Sequence, residues 1–200
     1  MKLLQKHLKS AFRSATVRRS RDLAHHGINR VQLQAAVAAG LVQRTGRGIY
    51  MLPDSDNITE RHTLAEVGQR IPKGTFCLLT ALRFHELTTQ NPAEVWVALA
   101  PSAWRPRLDT VEIRIAHFSG AALAQGVEQH EIEGVSVKIY NPAKTVADCF
   151  KFRHKIGLDV ALEALREAWK SRRVSMDQLN HFAQICRVGN VMRPYLESLT

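Results

Sequence analysis

Over residues 17–53 the spacing of apolar residues changes from helical to alternating, and glycine or asparagine punctuates the changes. Leu23 and Ala24 fall in a short helical segment that Ser20 is placed to cap. His25-His26-Gly27 follows as a turn, with Gly27 supplying the positive φ that closes a helix. Ile28 reads as core. Asn29 then caps a helix over 30–39 on which Leu33, Ala36 and Val37 share one face, and Gly40 ends it. Residues 41–44 and 49–52 read as two strands around the turn Thr45-Gly46-Arg47-Gly48, and Pro53 stops the second. Upstream, Leu4, Leu8 and Phe12 lie four residues apart on one helical face, with Lys2, Lys6, Lys9 and Arg13 between them. Three helices followed by a hairpin is the order of a winged helix-turn-helix. The expected fold class is therefore α+β: a winged helix over 1–53 followed by a mixed α/β domain over 54–200.

Charge is distributed as unevenly as the apolar spacing. The net charge is +10, yet residues 1–53 hold ten Lys and Arg against the single acid Asp22, while the remainder holds eighteen against seventeen. A compact segment that concentrates the excess positive charge is the electrostatic footprint of phosphate binding, and double-stranded DNA is the expected partner. The third helix would lie in the major groove with its first residues nearest the base edges. There Arg30 suits guanine, and Asn29, Gln32 and Gln34 suit adenine. Arg44 and Arg47 on the hairpin would meet phosphate or a minor groove. Arg18, Arg19 and Arg21 would contact the DNA backbone at the start of the second helix.

The second segment opens with the polar break Asp54-Ser55-Asp56-Asn57, read as a linker. Thr59 is placed to cap a helix over 60–70 with Leu64, Val67, Gly68 and Ile71 inward. An extended stretch over 75–79 and a helix over 80–87 follow. Alternation predicts strands over 94–100 and 111–116, and a hairpin of 127–132 with 135–140 around Glu133-Gly134. Asn141-Pro142 is a helix start, running to about Phe152. Further helices are expected over 158–170, from the Ser175/Gln178 capping box onward, and over 192–199. Lys144 and Asp148, four residues apart, read as a structural ion pair.

No P-loop, GxSxG, HExxH or dinucleotide-binding fingerprint is present, so no enzyme activity, metal or cofactor is expected. Asp109, Glu112 and Lys138 form only a weak nuclease-like pattern. His25 and His26 lack a partner at metal-ligand spacing. Trp96 and Trp104 read as core or loop anchors beside Arg105 and Arg107. Cys77, Cys149 and Cys186 are far apart and in apolar surroundings, which predicts reduced thiols in a cytoplasmic protein. No apolar run approaches the ~20 residues of a membrane span, and no secretory signal is read at the N-terminus.

The stretch HHGINRVQLQAAVAAGLVQRTGRGIYMLP resembles the N-terminal winged helix of AbiEi-family antitoxins, from type IV toxin–antitoxin and phage-abortive systems. FCLLTALRFHEL, NPAEVWVALA and VKIYNPAKTVADCFKFRHKIGLDVALEALREA resemble the C-terminal domain of that family, so the likeness extends from about residue 17 to 170. It implies a repressor of its own operon that binds inverted repeats in the promoter; a monomer or weak dimer is expected, since two half-sites can be filled by a dimer or by two monomers. It also implies neutralisation of a nucleotidyltransferase-like toxin, assigned to the C-terminal domain. The DNA-reading helix corresponds to 29–39 and the wing to 44–50; around Lys144, Thr145 and Asp148 the likeness carries no mechanism. The basic helix before Val17 is a departure from the family pattern. Two rival functions are a ligand-sensing winged-helix transcription factor and a DNA-targeted nuclease.

Overall fold

Capping side chains set several of the helix boundaries in the computed structural model, which describes residues 2–53, 61–104, 106, 108 and 111–199. The chain begins α1 (Lys2–Ala11), β1 (Val17–Arg19), α2 (Ser20–His25), α3 (Arg30–Ala38), β2 (Gln43–Gly46), β3 (Ile49–Met51) and α4 (His62–Arg70). Asn29 caps α3: its Oδ1 accepts from the Gln32 backbone N–H at 2.9 Å, and Gln32 Oε1 accepts from the Asn29 N–H at 2.9 Å. Two amides that a helix start leaves unpaired are thereby satisfied. Gly27 and Gly40, both at positive φ, close α2 and α3 as read.

Two local expectations shift. Ser20 is the first residue of α2 rather than its cap, and the Asp22 carboxylate instead accepts from the Arg19 N–H at 3.3 Å. The hairpin turn narrows to Arg47-Gly48, because β2 runs on to Gly46, which pairs with Ile49 after an irregularity between Arg44 and Gly46. The three strands form one sheet in the order β1-β3-β2, with β3 antiparallel to both neighbours.

The remaining elements are β4 (Thr75–Phe76), α5 (Leu78–Phe84), β5 (Val95–Leu99), β6 (Ile113–His117), α6 (Ala121–Ala124), β7 (Val127–Ile132), β8 (Val135–Tyr140), α7 (Pro142–Lys151), α8 (Arg153–Ile156), α9 (Leu158–Lys170), α10 (Met176–Ile185) and α11 (Gly189–Glu197). Five strands form a second sheet in the order β6-β5-β4-β8-β7. The fold is α+β, with eleven helices and two sheets among the described residues. Asn141 caps α7 by accepting from the Lys144 N–H at 2.8 Å, and Ser175 and Gln178 cap α10 reciprocally. The extended stretch read over 75–79 stops at Phe76. Helix α5 takes over because Leu78, Ala81 and Leu82 are buried and Thr80 Oγ1 accepts from the Trp96 N–H at 2.8 Å. The last helix begins at Gly189, before the expected start, and contains Pro194. Asp54 to Asn57, Thr59, Glu60, Arg105, Arg107 and Asp109 lie outside the described residues.

The chain divides into two compact units. The first comprises Met1–Pro72 with Pro106–Val111 and Gln129–Val137; the second comprises Lys73–Arg105, Glu112–Glu128 and Lys138–Thr200. The first is thus larger than the 1–53 segment, since it takes in α4 and the tip of the β7–β8 hairpin. That tip is tied down by Glu133, which with Gly134 adopts positive φ at 52° and 73° in a tight two-residue turn. The Glu133 carboxylate accepts from the Thr16 hydroxyl at 2.5 Å and from His62 Nδ1 at 2.7 Å. Gly134 admits no side chain, because a Cβ there would sit 1.5 Å from the Ser14 carbonyl oxygen. The first unit packs its own core around Leu8, Phe12, Leu23, Ile28, Leu33 and Val42. The second packs another around α7, with Val146, Phe150, Leu165, Leu179 and Met192. No helix among the described residues is long and apolar enough to cross a membrane.

Candidate nucleic-acid interface

Alternation along β3 decides which way the basic residues of the first sheet face. Ile49 and Met51 are buried, so Tyr50 points to the opposite side. Arg18 on β1 and Arg44 on β2 are both in register with Tyr50 and share its side; Arg19 is in register with Ile49. Arg19 is accordingly half-buried. Loss of solvent, and then the nearby Arg21 charge, push its guanidinium pKa down, with Asp22 opposing.

Beside Tyr50 runs a groove of ≈ 680 Å³ between the start of α2, the exposed side of α3 and the β2–β3 hairpin. Arg21, Arg30, Gln34 and Arg44 line it, together with Ser20 and Tyr50, and no acid does. Arg30 and Gln34 stand one turn apart and are exposed. Arg44 Nε donates to the Gly46 carbonyl at 3.1 Å, which steadies the side chain near the turn. Arg21 lies 3.5 Å from Asp22 with its side chain 70% exposed, a contact too solvated to hold it there.

The other candidate residues are placed differently. Arg18 is half-buried and donates through Nε to the Ala11 carbonyl at 3.0 Å and through Nη2 to Ser14 Oγ at 2.6 Å. The side-chain oxygens of Asn29 and Gln32 are engaged in the α3 cap. Arg47 is exposed on the hairpin turn outside the groove, and its carbonyl accepts from Arg70 Nη1 at 2.8 Å. Arg70 also packs against Gly46, where a Cβ would meet its Nη1 at 2.8 Å. Helix α4 therefore braces the hairpin, which no local pattern in 41–53 signals.

A second basic groove, of ≈ 940 Å³, lies along α1 and is lined by Lys6, Lys9 and Arg13 with Leu41 and Leu52. The N-terminal excess charge is thus shared between two grooves. The structure also exposes an apolar strip on α3 that is not among the residues singled out from the sequence: Val31 is 73% exposed, and Ala35 and Ala38 beside it are exposed. Its signal was in the sequence, since Val31, Ala35 and Ala38 repeat at helical spacing opposite Leu33 and Ala36.

In the second unit, the expected Lys144–Asp148 pair forms and is fully buried. Lys144 Nζ donates to Asp148 Oδ1 at 2.6 Å and Oδ2 at 2.5 Å, and sits 4.1 Å from the Tyr140 ring centroid and 4.6 Å from that of Phe118. The Cys186 thiol donates to Asp148 Oδ1 at 3.2 Å. A Cβ at Gly126 would lie 2.7 Å from Lys144 Cβ, so a glycine is needed there to admit the lysine stem. Burial pushes the Asp148 carboxyl up to about 6, with Lys144 pulling it back, and pushes Cys186 up to about 12. Cys77 and Cys149 are likewise raised by burial, so all three cysteines are buried free thiols rather than poised nucleophiles. Trp96 is core, as read, whereas Trp104 is 80% exposed. No protein-family model matches the chain, and no curated protein matches it in sequence.

Proposed function

We propose that the first unit is a winged helix-turn-helix that binds duplex DNA, and that the chain acts by binding rather than catalysis, as a transcriptional repressor. The observation that carries this reading is the acid-free groove in which Arg21, Arg30, Gln34 and Arg44 converge beside α3. In the reading, α3 enters the major groove, Arg30 and Gln34 face base edges, and Arg44 and Arg47 on the hairpin meet phosphates. Neutralisation of a nucleotidyltransferase-like toxin by the second unit rests on the residue resemblance around 75–170. The same resemblance supports inverted promoter repeats as the DNA target, and the three buried free thiols support a cytoplasmic location.

The test is binding of the purified chain to a duplex covering the region upstream of its own gene, against a scrambled duplex of equal length. Equal affinity for both would end the repressor reading. Arg30→Ala should cost about 1–3 kcal/mol at one base pair and leave binding to scrambled DNA unchanged. Co-expression with a neighbouring toxin gene tests the antitoxin half: growth not rescued by the full chain removes it.

The cap geometry sharpens the base readers. With the Asn29 and Gln32 oxygens engaged, the open face of α3 presents one guanidinium, one free amide and the apolar strip headed by Val31. The major-groove counterpart of such a strip is the thymine methyl group. Replacing thymine by deoxyuracil throughout the target should weaken binding by about 1 kcal/mol per methyl contact, from ~0.8 kcal/mol per buried carbon. Val31→Ala should reduce that discrimination. Competition binding with the two duplexes measures it, and equal affinity of the native chain for both removes Val31 as a reader.

A further inference from the structure

The second unit contains a cavity of ≈ 340 Å³ at the end of β6, between the last turn of α7 and the end of α10. Its lining is unbalanced in charge. His117, Lys151 and Arg187 all line it, all are exposed, and none has a side-chain hydrogen bond or ion pair among the described residues. The one acid in the lining is Asp148, whose charge Lys144 already neutralises and to which the Cys186 thiol donates. Two fixed positive charges and an imidazole therefore share one concave surface with no free counter-charge.

The arginine stands at a position its side chain makes costly. Residue 187 follows α10 in the left-handed region, with φ of 58°, and the Val188 N–H bonds the Ala183 carbonyl at 2.8 Å in the 6→1 closure of a helix end. Glycine is the relaxed residue there, because a Cβ is disfavoured at that φ. Glu86 and Arg172 occupy the same kind of position after α5 and α9, but only Arg187 lines this cavity. The walls also include the rings of Phe118 and Phe152, whose centroids are 5.2 Å apart. The chemistry offered is a pair of cations and an imidazole for a compact anion, beside aromatic surface for a small organic group.

We propose that this cavity binds a small phosphate monoester, with Lys151 and Arg187 holding the phosphate and Phe118 and Phe152 facing the organic part. The site is separate from the groove beside α3 and does not depend on DNA binding. It supplies what a ligand-responsive regulator would need.

The test is isothermal titration of the full-length chain with adenosine monophosphate and, separately, with inorganic phosphate. Saturable binding is expected for the nucleotide, and weaker binding for phosphate, which lacks the organic group. Arg187→Gly is the decisive variant, because it relieves the left-handed backbone while removing the guanidinium. It should keep or raise the thermal unfolding midpoint and weaken nucleotide binding at least tenfold. Lys151→Gln should weaken it similarly. Arg30→Gln with Arg44→Gln, which alters the other groove, should leave it unchanged. Absence of binding to both probes overturns the site. So does equal binding by the native chain and the Arg187→Gly variant, or loss of binding in the Arg30/Arg44 variant, which would place the anion beside α3.

Discussion

Replacing Lys144 with Met should lower the free energy of unfolding by about 3–5 kcal/mol at pH 8, because it leaves a carboxylate in the core without its partner. Asp148 has no exposed surface, and its two oxygens are held by Lys144 Nζ and the Cys186 thiol. In the variant the carboxyl must remain charged at a high desolvation cost or take up a proton. The double replacement Lys144→Met with Asp148→Leu should recover most of the loss, since apolar residues of similar volume remove both desolvation costs. Denaturant unfolding of the native chain and the two variants gives the answer. A single variant within 1 kcal/mol of the native chain, the scale of an ordinary exposed ion pair, would deny the pair its buried character.

The same pair predicts a pH dependence with a definite sign. Burial raises the folded-state Asp148 carboxyl from 3.8 to about 6. The folded state therefore holds a proton that the unfolded chain has lost between those values. That contribution to stability is fully present below the unfolded value and disappears as pH rises through about 6. In Lys144→Met the folded value moves further up, so the variant should be less destabilised at pH 5 than at pH 8. An equal loss at both pH values would show that the cost is packing rather than charge.

The second large effect concerns salt. If Arg21, Arg44 and Arg47 each neutralise one phosphate, the log–log slope of affinity against salt should be about −2.7 per bound chain, at ~0.9 per contact. Raising salt from 50 to 200 mM should then cost roughly 40-fold per chain, and roughly 1,600-fold for two chains on an inverted repeat. Arg44→Gln with Arg47→Gln should make the slope shallower by about 1.8 per chain on specific and scrambled duplexes alike. Arg30→Ala should act instead on one base pair. Fluorescence anisotropy across a salt series separates the two patterns, and an unchanged slope in the Arg44/Arg47 variant would rule the hairpin out as a phosphate contact.

Much of the secondary structure was legible because its causes are local. Asn29, Asn141 and Ser175 cap helices through hydrogen bonds to amides three residues away, and the positive φ of Gly27 and Gly40 is a property of the turn itself. The 127–140 hairpin was readable from alternation around Glu133-Gly134. Charge segregation needed only counting. The candidate groove was legible in part: Arg21, Arg30, Gln34 and Arg44 come together, while Arg18 is turned toward Ala11 and Ser14, and Arg47 lies outside it.

The sequence by itself determined most of the longer helices and strands, the α+β class and the concentration of positive charge in residues 1–53; it did not signal β1 or the four-residue helices α6 and α8. Tertiary structure decided the rest. The strand β1 is three residues long and β4 two, too short to show a period, and each exists only because a distant strand offers its hydrogen bonds. The parallel pairing of β5 with β6 and of β4 with β8 joins segments whose local patterns carry no register for one another. Helix α4 braces the hairpin through Arg70, and His117, Asp148 and Arg187 meet around one cavity from three separate elements. Caps and alternation act over a few residues and are written in the chain. Pairing across long separations depends on which buried surfaces fit, and no short window of sequence encodes that fit.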